Sequence, residues 1–322
     1  MNVLVKGAGV AGLATARELC RRGAHVTVID RRDRVGGAAS WYAGGMLAPW
    51  CEGESADEKV TELGMTAMDW WAEALPGQVE RNGTLVVAPA RDRAELDRFA
   101  RRTSGHRRTD ENGIGALEPV LAGRFRHGLF FENEAHLDPR AAMRSLQERL
   151  AQDGCAFRLG GQDANADEFD AVVDCTGMAS PVRGLRGVRG EMLILKAADL
   201  ELSRPVRLLH PRIPVYVVPR GDGLFMIGAT MVESASASAA SARSVMELLN
   251  AAYALHPGFG DAQIVEIGVG VRPAFADNFP RVSRHDKTIS LNGLYRHGFL
   301  LAPALAADAA AMALEIREAA HA

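Results

Sequence analysis

The first thirty residues constrain the fold more than any other part of the chain. A short apolar run, Val3-Leu4-Val5, leads into Gly7-Ala8-Gly9-Val10-Ala11-Gly12. An amphipathic stretch then runs from Ala11 to Arg22 and is stopped by Gly23. A second β-prone run, Val26-Thr27-Val28-Ile29, ends on Asp30. Strand, glycine turn, helix, strand and acid in this order form the dinucleotide-binding fingerprint in its required context. Each residue type has a physical task. Gly7 permits the tight turn, Gly9 lets the backbone approach a pyrophosphate, and Gly12 lets the helix pack close to the strand. The helix start at Val10 and Ala11 offers N–H groups to phosphates, and Asp30 is placed to accept from the adenosine ribose. An ordinary glycine turn in an α/β core is the competing reading. Lys6 departs from the pattern, because an apolar residue normally ends the first strand. It either points to solvent or marks an unusual phosphate neighbour.

Length and composition bound the rest. The 322 residues suggest one to three domains, most simply two. With 48% apolar and 24% charged residues the chain has the balance of a soluble globular protein. A net charge of −3 argues against a protein built mainly to bind nucleic acid. Cys20, Cys51, Cys155 and Cys175 form no CxxC pair and have no histidine at metal-ligand spacing. They read as reduced thiols of a cytoplasmic protein, with no metal site. A signal peptide is not expected, because the first strand already starts at Asn2 or Val3. No membrane span is expected either. The closest stretch, Phe299 to Ile316, is mostly alanine and carries Asp308 and Glu315, so it reads as a soluble helix.

Further along, Arg31-Arg32-Asp33-Arg34 reads as a solvated turn whose arginines could also neutralise a nucleotide. Residues 58 to 75 predict one amphipathic helix with Val60, Leu63, Met65, Met68 and Trp71 mostly inward. Strand is expected at 83–89 and a charged surface helix at 91–102. The basic run Arg101 to Arg108 reads as an exposed loop, or else as a docking site for an acidic partner. Asp138-Pro139 starts a helix that runs to about Ala151. A strand near Ala156 to Leu159 follows. The run from Phe169 to Gly177 predicts a buried strand with a glycine turn at its end, as on the other side of a dinucleotide crevice. Residues 190 to 232 are strand-rich, and Gly221-Asp222-Gly223 makes a hairpin turn. A serine and alanine segment, Ser234 to Ser244, enters a helix from Ala242 to Leu255 that Pro257-Gly258 ends. Strands at Ile264 to Val271 and Thr288 to Leu291 and a final alanine-rich helix complete the chain. This order predicts a discontinuous nucleotide domain with an antiparallel sheet domain inserted into it.

Four later segments carry a resemblance that spans nearly the whole chain. They are Ser40-Trp41-Tyr42-Ala43-Gly44-Gly45-Met46-Leu47-Ala48-Pro49, Val188-Arg189-Gly190-Glu191, Tyr216 to Arg220 with Ile227 to Met231, and Gly270 to Pro273 with Tyr295 to Pro303. Together with the fingerprint, they resemble the D-amino-acid oxidase family of FAD-dependent oxidoreductases, most closely its glycine-oxidase (ThiO-type) branch. The resemblance implies an α/β fold with a Rossmann-like FAD-binding domain and an inserted antiparallel-sheet substrate domain. The FAD domain would comprise residues 1–80, 136–188 and 265–322, and the substrate domain 81–135 and 189–264.

It also implies roles for particular residues. Small residues at Ser40, Gly44, Gly45, Met46 and Leu47 would lie along the flavin ring, although the family usually has alanine where Gly44 sits. Arg31, Arg32, Thr176 and Gly177 join the fingerprint residues as cofactor neighbours. His297, Gly298, Phe299 and Leu300 would start the last helix, with Pro303 in its first turn, and present its positive end to the flavin's pyrimidine oxygen. Arg272 matches the carboxylate-binding arginine, whose planar fork pairs both oxygens; a surface ion pair is the plainer alternative. Tyr216 matches a hydroxyl offered to the same carboxylate, or is a half-buried sheet tyrosine. Arg296 matches a second active-site arginine. Met231 would line the pocket or serve as a core methionine. The segment Val188 to Glu191 matches the family's strand leaving the flavin domain and would have a structural role.

The implied activity is oxidation of glycine or another small amino acid by hydride transfer to flavin, with O2 reduced to hydrogen peroxide. The imine would supply thiazole formation in thiamine biosynthesis through a thiazole-synthesis partner. FAD would be non-covalent, because the last cysteine is Cys175. A homo-oligomer is compatible with the family, and neither nucleic acid nor membrane is an expected partner. The rivals are a D-amino-acid or sarcosine oxidase or dehydrogenase, a nicotinamide dehydrogenase, and an FAD-binding regulatory protein without turnover. The nicotinamide enzyme would leave the segments at Ala43 to Pro49 and Arg296 to Pro303 unexplained, and the presence of Arg272 argues against the regulatory protein.

Overall fold

The computed structural model describes residues 1–161, 164–210 and 215–321, the last five of these as backbone only. The expected domain ranges also take in 162, 163, 211–214 and 322, which lie outside the described residues.

The N-terminal run forms the centre of a six-stranded sheet. Asn2–Lys6 pairs in parallel with His25–Ile29 on one side and with Ala171–Asp174 on the other, so that Val3 faces both Val26 and Ala171. Ala156–Arg158 extends one edge; Thr288–Asn292 and then Arg281–His285 extend the other. Val3, Leu4 and Val5 are all fully buried. That is why the strand reads as a continuous apolar run: helices cover both faces of a parallel sheet. The first helix, Val10–Arg21, packs along the last one, Gly298–His321. Ala302, Ala306, Ala309, Ala310 and Ala313 are completely buried there, and their small side chains allow the close approach.

The last helix corrects two expectations. By length and composition it is apolar enough to cross a membrane. In this fold its apolar residues instead form part of the core that contains Leu13, Leu19 and Trp71. Pro303 is its sixth residue and so lies in the second turn rather than the first. A proline there has no N–H to give to the carbonyl four residues back. The Trp71 indole N–H takes that place and donates to the Phe299 carbonyl at 2.9 Å.

A larger, mostly antiparallel sheet carries most of the remaining strands. Arg186–Lys196, Leu224–Gly228, Val215–Pro219, Val206–Leu208, Thr84–Val87, His127–Phe131 and Arg107–Asp110 follow one another across it. Gln263–Ala274 pairs along the opposite side of Arg186–Lys196. The expected divisions at 188/189 and 264/265 fall within these two paired strands. Helix Ala242–Leu255 buries Leu248, Ala252 and Leu255 against Leu193, Leu195, Val217 and Ile227 of this sheet.

Two further expectations change. The helix foreseen over 58–75 is two helices, Glu58–Gly64 and Ala67–Ala74, with Met65 exposed between them. A Cβ on Gly64 would come within 2.8 Å of the Leu300 side chain, so the first helix ends in a close approach to the last one. The basic run is not one loop: Arg101 and Arg102 end the helix Arg93–Arg102, while Arg107 and Arg108 open a strand. Its charges are used locally, with Arg108 on Asp97 at 2.8 Å and Arg107 over the Phe130 ring.

Candidate active site

A cavity of about 460 Å³ runs between the two sheets. Val10, Ala11, Arg31 and Arg32 line one end, Ser40 to Gly44 without Trp41 and Thr176 to Ala179 its walls, and Arg272, Tyr295, Gly298 and Phe299 the other end. A smaller space of about 90 Å³ opens beside that second end and shares Gly44, Tyr216, Arg272 and Arg296 with it.

The glycine turn supports the first end from behind. Gly7 has φ +98°, and a Cβ there would sit 2.6 Å from the Cys175 carbonyl oxygen. A Cβ on Gly12 would fall 1.8 Å from the Gly7 oxygen, so only glycine allows the helix to start against the turn. Asp30 braces the same turn: its two oxygens accept the Ala8 N–H at 2.8 Å and the Arg32 N–H at 2.9 Å. The Ser40 hydroxyl accepts the Val10 N–H at 3.1 Å. The next amide of the first turn, that of Ala11, has no intrahelical partner and faces the cavity, available to an anion.

Most of the expected cofactor neighbours line these spaces. Gly7, Gly9, Gly12, Asp30 and Leu47 do not. The three glycines and Asp30 shape the turn behind the wall. Met46 and Leu47 form a two-residue strand, and the pleat turns Met46 to the small cavity and Leu47, 1% exposed, to the core. Lys6 lies on neither wall; its carbonyl accepts the Cys175 N–H at 2.8 Å within the sheet. On the far wall, Asp174 accepts both the Thr176 and Ser180 hydroxyls at 2.6 Å and thereby fixes the Thr176–Gly177 turn.

The residues present fit an extended dinucleotide. One end supplies helix amides and two arginines, the middle is walled by glycine and alanine, and the N-terminus of a 24-residue helix meets the other end. A Cβ at Gly270 would approach the Ala39 backbone to 3.2 Å and the Tyr42 ring to 3.2 Å, which would narrow the same wall.

Arg272 is set into the second end by the strand opposite. A Cβ on Gly190 would lie 2.2 Å from the Arg272 Nη2, so this glycine makes the room for the guanidinium. Arg272 Nη1 donates to the Thr230 carbonyl at 3.1 Å. Burial lowers its pKa; Tyr216 and Tyr295 act in the opposite direction, and Arg296 lowers it further. Among the described residues no carboxylate forms an ion pair with Arg272, so its charge is offered to the cavities it lines.

Arg296 is different, because it is already paired. Its Nε and Nη2 both donate to one oxygen of Glu52, at 2.9 and 2.5 Å. His297 Nδ1 lies 3.4 Å from the same oxygen, and Arg207 Nη1 lies 3.8 Å from the other. Burial pushes the Glu52 carboxyl up, but Arg296, His297 and Arg207 outweigh it and hold the pKa down to about 2. Burial lowers His297 to about 4, so its imidazole is neutral at pH 7. Behind Arg207, Cys51 offers its carbonyl at 3.3 Å, and the Cys51 N–H donates to Glu134 at 2.8 Å. Glu134 is fully buried, and burial raises it to about 7 despite hydrogen bonds that lower it.

Two more contacts position the walls. Arg220 donates to the Leu137, Ala43 and Gly44 carbonyls at 3.0, 3.1 and 2.8 Å, clamping the glycine segment. Tyr295 has φ +50°, an uncommon left-handed conformation for an aromatic residue. Its hydroxyl donates to the Met231 sulfur at 3.4 Å. A Cβ on Gly44 would sit 2.8 Å from the Tyr216 ring, so the departure noted at Gly44 accommodates this tyrosine.

The fold thus brings Arg272, Tyr216, Arg296, Met231 and His297 around one small space. Glu52, Arg207, Gly190 as the seat of Arg272, and Tyr295 are additions. Arg207 left one signal in the sequence, a charge inside the apolar run Pro205-Val206-Arg207-Leu208-Leu209. Glu52, on a four-residue helix, left none.

The FAD-dependent oxidoreductase (DAO) family profile matches residues 2–312. A putative thiamine biosynthesis oxidoreductase ThiO of Rhizobium etli is 58% identical over 312 residues, 96% of this chain and 95% of that protein. The glycine oxidase of Pseudomonas aeruginosa is 27% identical over 94% of this chain and 92% of its own length. A bifunctional protein ThiO/ThiG of Nostoc sp. is 27% identical over 98% of this chain, which spans 53% of that protein. Among solved structures, glycine oxidase from Geobacillus kaustophilus has a TM-score of 0.80 at 22% identity, covering 97% of this chain and 94% of that one.

Proposed function

Because the chain belongs to the DAO family of FAD-dependent oxidoreductases, we propose that the site just described oxidises glycine, or a similarly small amino acid, with O2 as electron acceptor. The observation that carries this reading is Arg272, a guanidinium with no carboxylate ion pair among the described residues, set against Gly190 at the end of the dinucleotide cavity.

The chain's residues divide the work. Ala11, Arg31 and Arg32 would hold the phosphate end of FAD, and the start of the last helix at Gly298 to Leu300 would face its ring end. No cysteine lines either cavity, which supports a non-covalent cofactor. When bound, FAD supplies the hydride acceptor for the substrate α-carbon and passes the electrons to O2 as hydrogen peroxide. Arg272 takes the substrate carboxylate through two parallel hydrogen bonds, and the Tyr216 hydroxyl adds a third. This fixes the α-carbon, and orientation is most of what the protein contributes. Met231 and Ala229 leave little room beyond the α-carbon, which supports a small substrate.

No group at the substrate end is poised as a base near neutral pH. Glu52 at about 2 and His297 at about 4 are both too weakly basic to take an ammonium proton. The amine therefore enters neutral, its proton lost to solvent. Arg296 holds its charge beside the site while Glu52 keeps it from competing for the carboxylate.

The imine formed from glycine is a reactive product that water hydrolyses. The ThiO part and ThiG part joined in the Nostoc protein support a thiazole-synthesis partner that would collect it. A cytoplasmic location and a homo-oligomer belong to the same reading. Exposed Ile264, Val265 and Ile267 on one strand are apolar surface available for assembly. The test is peroxide formation from glycine, sarcosine, D-alanine and D-proline by the FAD-loaded protein. The reading expects glycine to be the best of the four; peroxide from none of them would contradict it.

A further inference from the structure

Met231 combines three properties. It lines the small cavity together with Arg272 and Arg296. As a residue it is 51% exposed. Its sulfur also accepts two donors, the Tyr295 hydroxyl at 3.4 Å and Arg296 Nη1 at 3.6 Å.

Hydrogen peroxide oxidises an accessible thioether, and neighbouring hydrogen-bond donors assist the step. The sulfur lone pair attacks one peroxide oxygen and the O–O bond breaks. The second oxygen leaves as water after taking a proton. Donors beside the sulfur hold that departing oxygen as its charge develops. Tyr295 and Arg296 are placed to do so.

We propose that Met231 is a built-in target of the hydrogen peroxide made in this site, converted to methionine sulfoxide during turnover and slowing the enzyme as it accumulates. The inference rests on the oxidase reading, which supplies the peroxide. The atoms balance: the thioether and one H2O2 give the sulfoxide and one water, with sulfur giving up the two electrons that peroxide gains. The sulfoxide oxygen is a far stronger acceptor than the thioether sulfur, and it captures the Tyr295 and Arg296 donors. A flexible apolar wall of the substrate space becomes polar and pinned. The lesion is reversible, because methionine sulfoxide reductases restore the thioether.

Two other methionines serve as internal controls. Met65 and Met246 are 52% and 59% exposed, as open as Met231, but line neither cavity. The FAD-loaded protein is allowed to turn over glycine in air while peroxide release, initial rate and the oxygen content of each methionine peptide are followed. The expected result is that the Met231 peptide gains one oxygen well before those of Met65 and Met246, in step with loss of activity. Reagent peroxide without substrate should blunt this preference. Met231→Leu should lose activity more slowly relative to its own initial rate, and a sulfoxide reductase should restore the wild type. Peroxide release with equal oxidation at all three positions would overturn the inference alone. Failure to release peroxide would overturn the oxidase reading and this inference with it.

Discussion

Glu52 holds Arg296 through two hydrogen bonds to a single carboxylate oxygen, at 2.9 and 2.5 Å. The pair divides the two arginines of the site by task. Arg296 is neutralised where it stands, and Arg272 remains free for an incoming carboxylate. Two free guanidiniums would instead offer two anion positions around one small cavity.

Glu52→Gln keeps the shape and removes the charge. Arg296 and Arg207 then share a mostly buried site without a counter-ion. Such an uncompensated cation costs about 3 kcal/mol, measurable as a lowered denaturant midpoint at pH 7. The sign with pH follows from the direction of the shift. The folded pKa is depressed to about 2, so the Glu52 contribution is present above the ordinary carboxylate value near 4.5 and lost as pH falls toward 2. The variant should lack that part of the acid-induced loss.

Glu134 titrates in the opposite sense. Its folded pKa is raised to about 7, so its contribution is fully present below about 4.5 and is lost as pH rises through 7. Ionisation there leaves a buried anion next to the Cys51 N–H that links it to Arg207. Glu134→Gln preserves an acceptor for that N–H and cannot ionise. The variant should be more stable than the wild type at pH 8, by an amount on the order of 3 kcal/mol, with the difference shrinking toward pH 5. Unfolding curves at the two pH values check this.

Gly44→Ala should push on Tyr216, because the added carbon would lie 2.8 Å from its ring. Arg220 clamps both neighbouring carbonyls and leaves the segment little freedom to retreat. The tyrosine must give way, and the KM for glycine should rise several-fold while the protein retains FAD. Unchanged KM would remove Tyr216 from the carboxylate site.

Gly12→Ala attacks the other end. A Cβ would fall 1.8 Å from the Gly7 oxygen, so the first helix must move off the turn. The protein should purify with less flavin per chain, read from the ratio of visible to ultraviolet absorbance. Full flavin content would mean that this close approach does not shape the cofactor end.

Much of this was legible in the sequence where one residue type meets one physical demand. The positive φ of Gly7 and the contact at Gly12 can be read from a glycine pattern, because side chains cannot replace them. The helix Ala242 to Leu255 matches to the residue, since a serine cap bounds its start. Arg272 was legible through the motif around it. What escaped was set by distant contacts. The helix that ends at Gly64 meets Leu300, more than 200 positions away in the chain. Glu52 gains its role only when the fold delivers Arg296 and Arg207 to it. Short strands such as Val206–Leu208 carry too few residues to show a period. Asp30 was read as a ribose ligand, while its oxygens also hold the turn through Ala8 and Arg32.

The central claim is that Arg272 anchors an amino acid carboxylate for oxidation by bound FAD. Anaerobic mixing of the FAD-loaded protein with glycine, followed by its visible absorbance, tests it directly. The account predicts that glycine bleaches the flavin band of the wild type. Arg272→Ala should need about ten- to a hundredfold more glycine for the same effect, the loss of a charge-assisted pair of roughly 1.5–3 kcal/mol. A band that glycine leaves unchanged, or an Arg272→Ala protein that bleaches at the wild-type concentration, would contradict it.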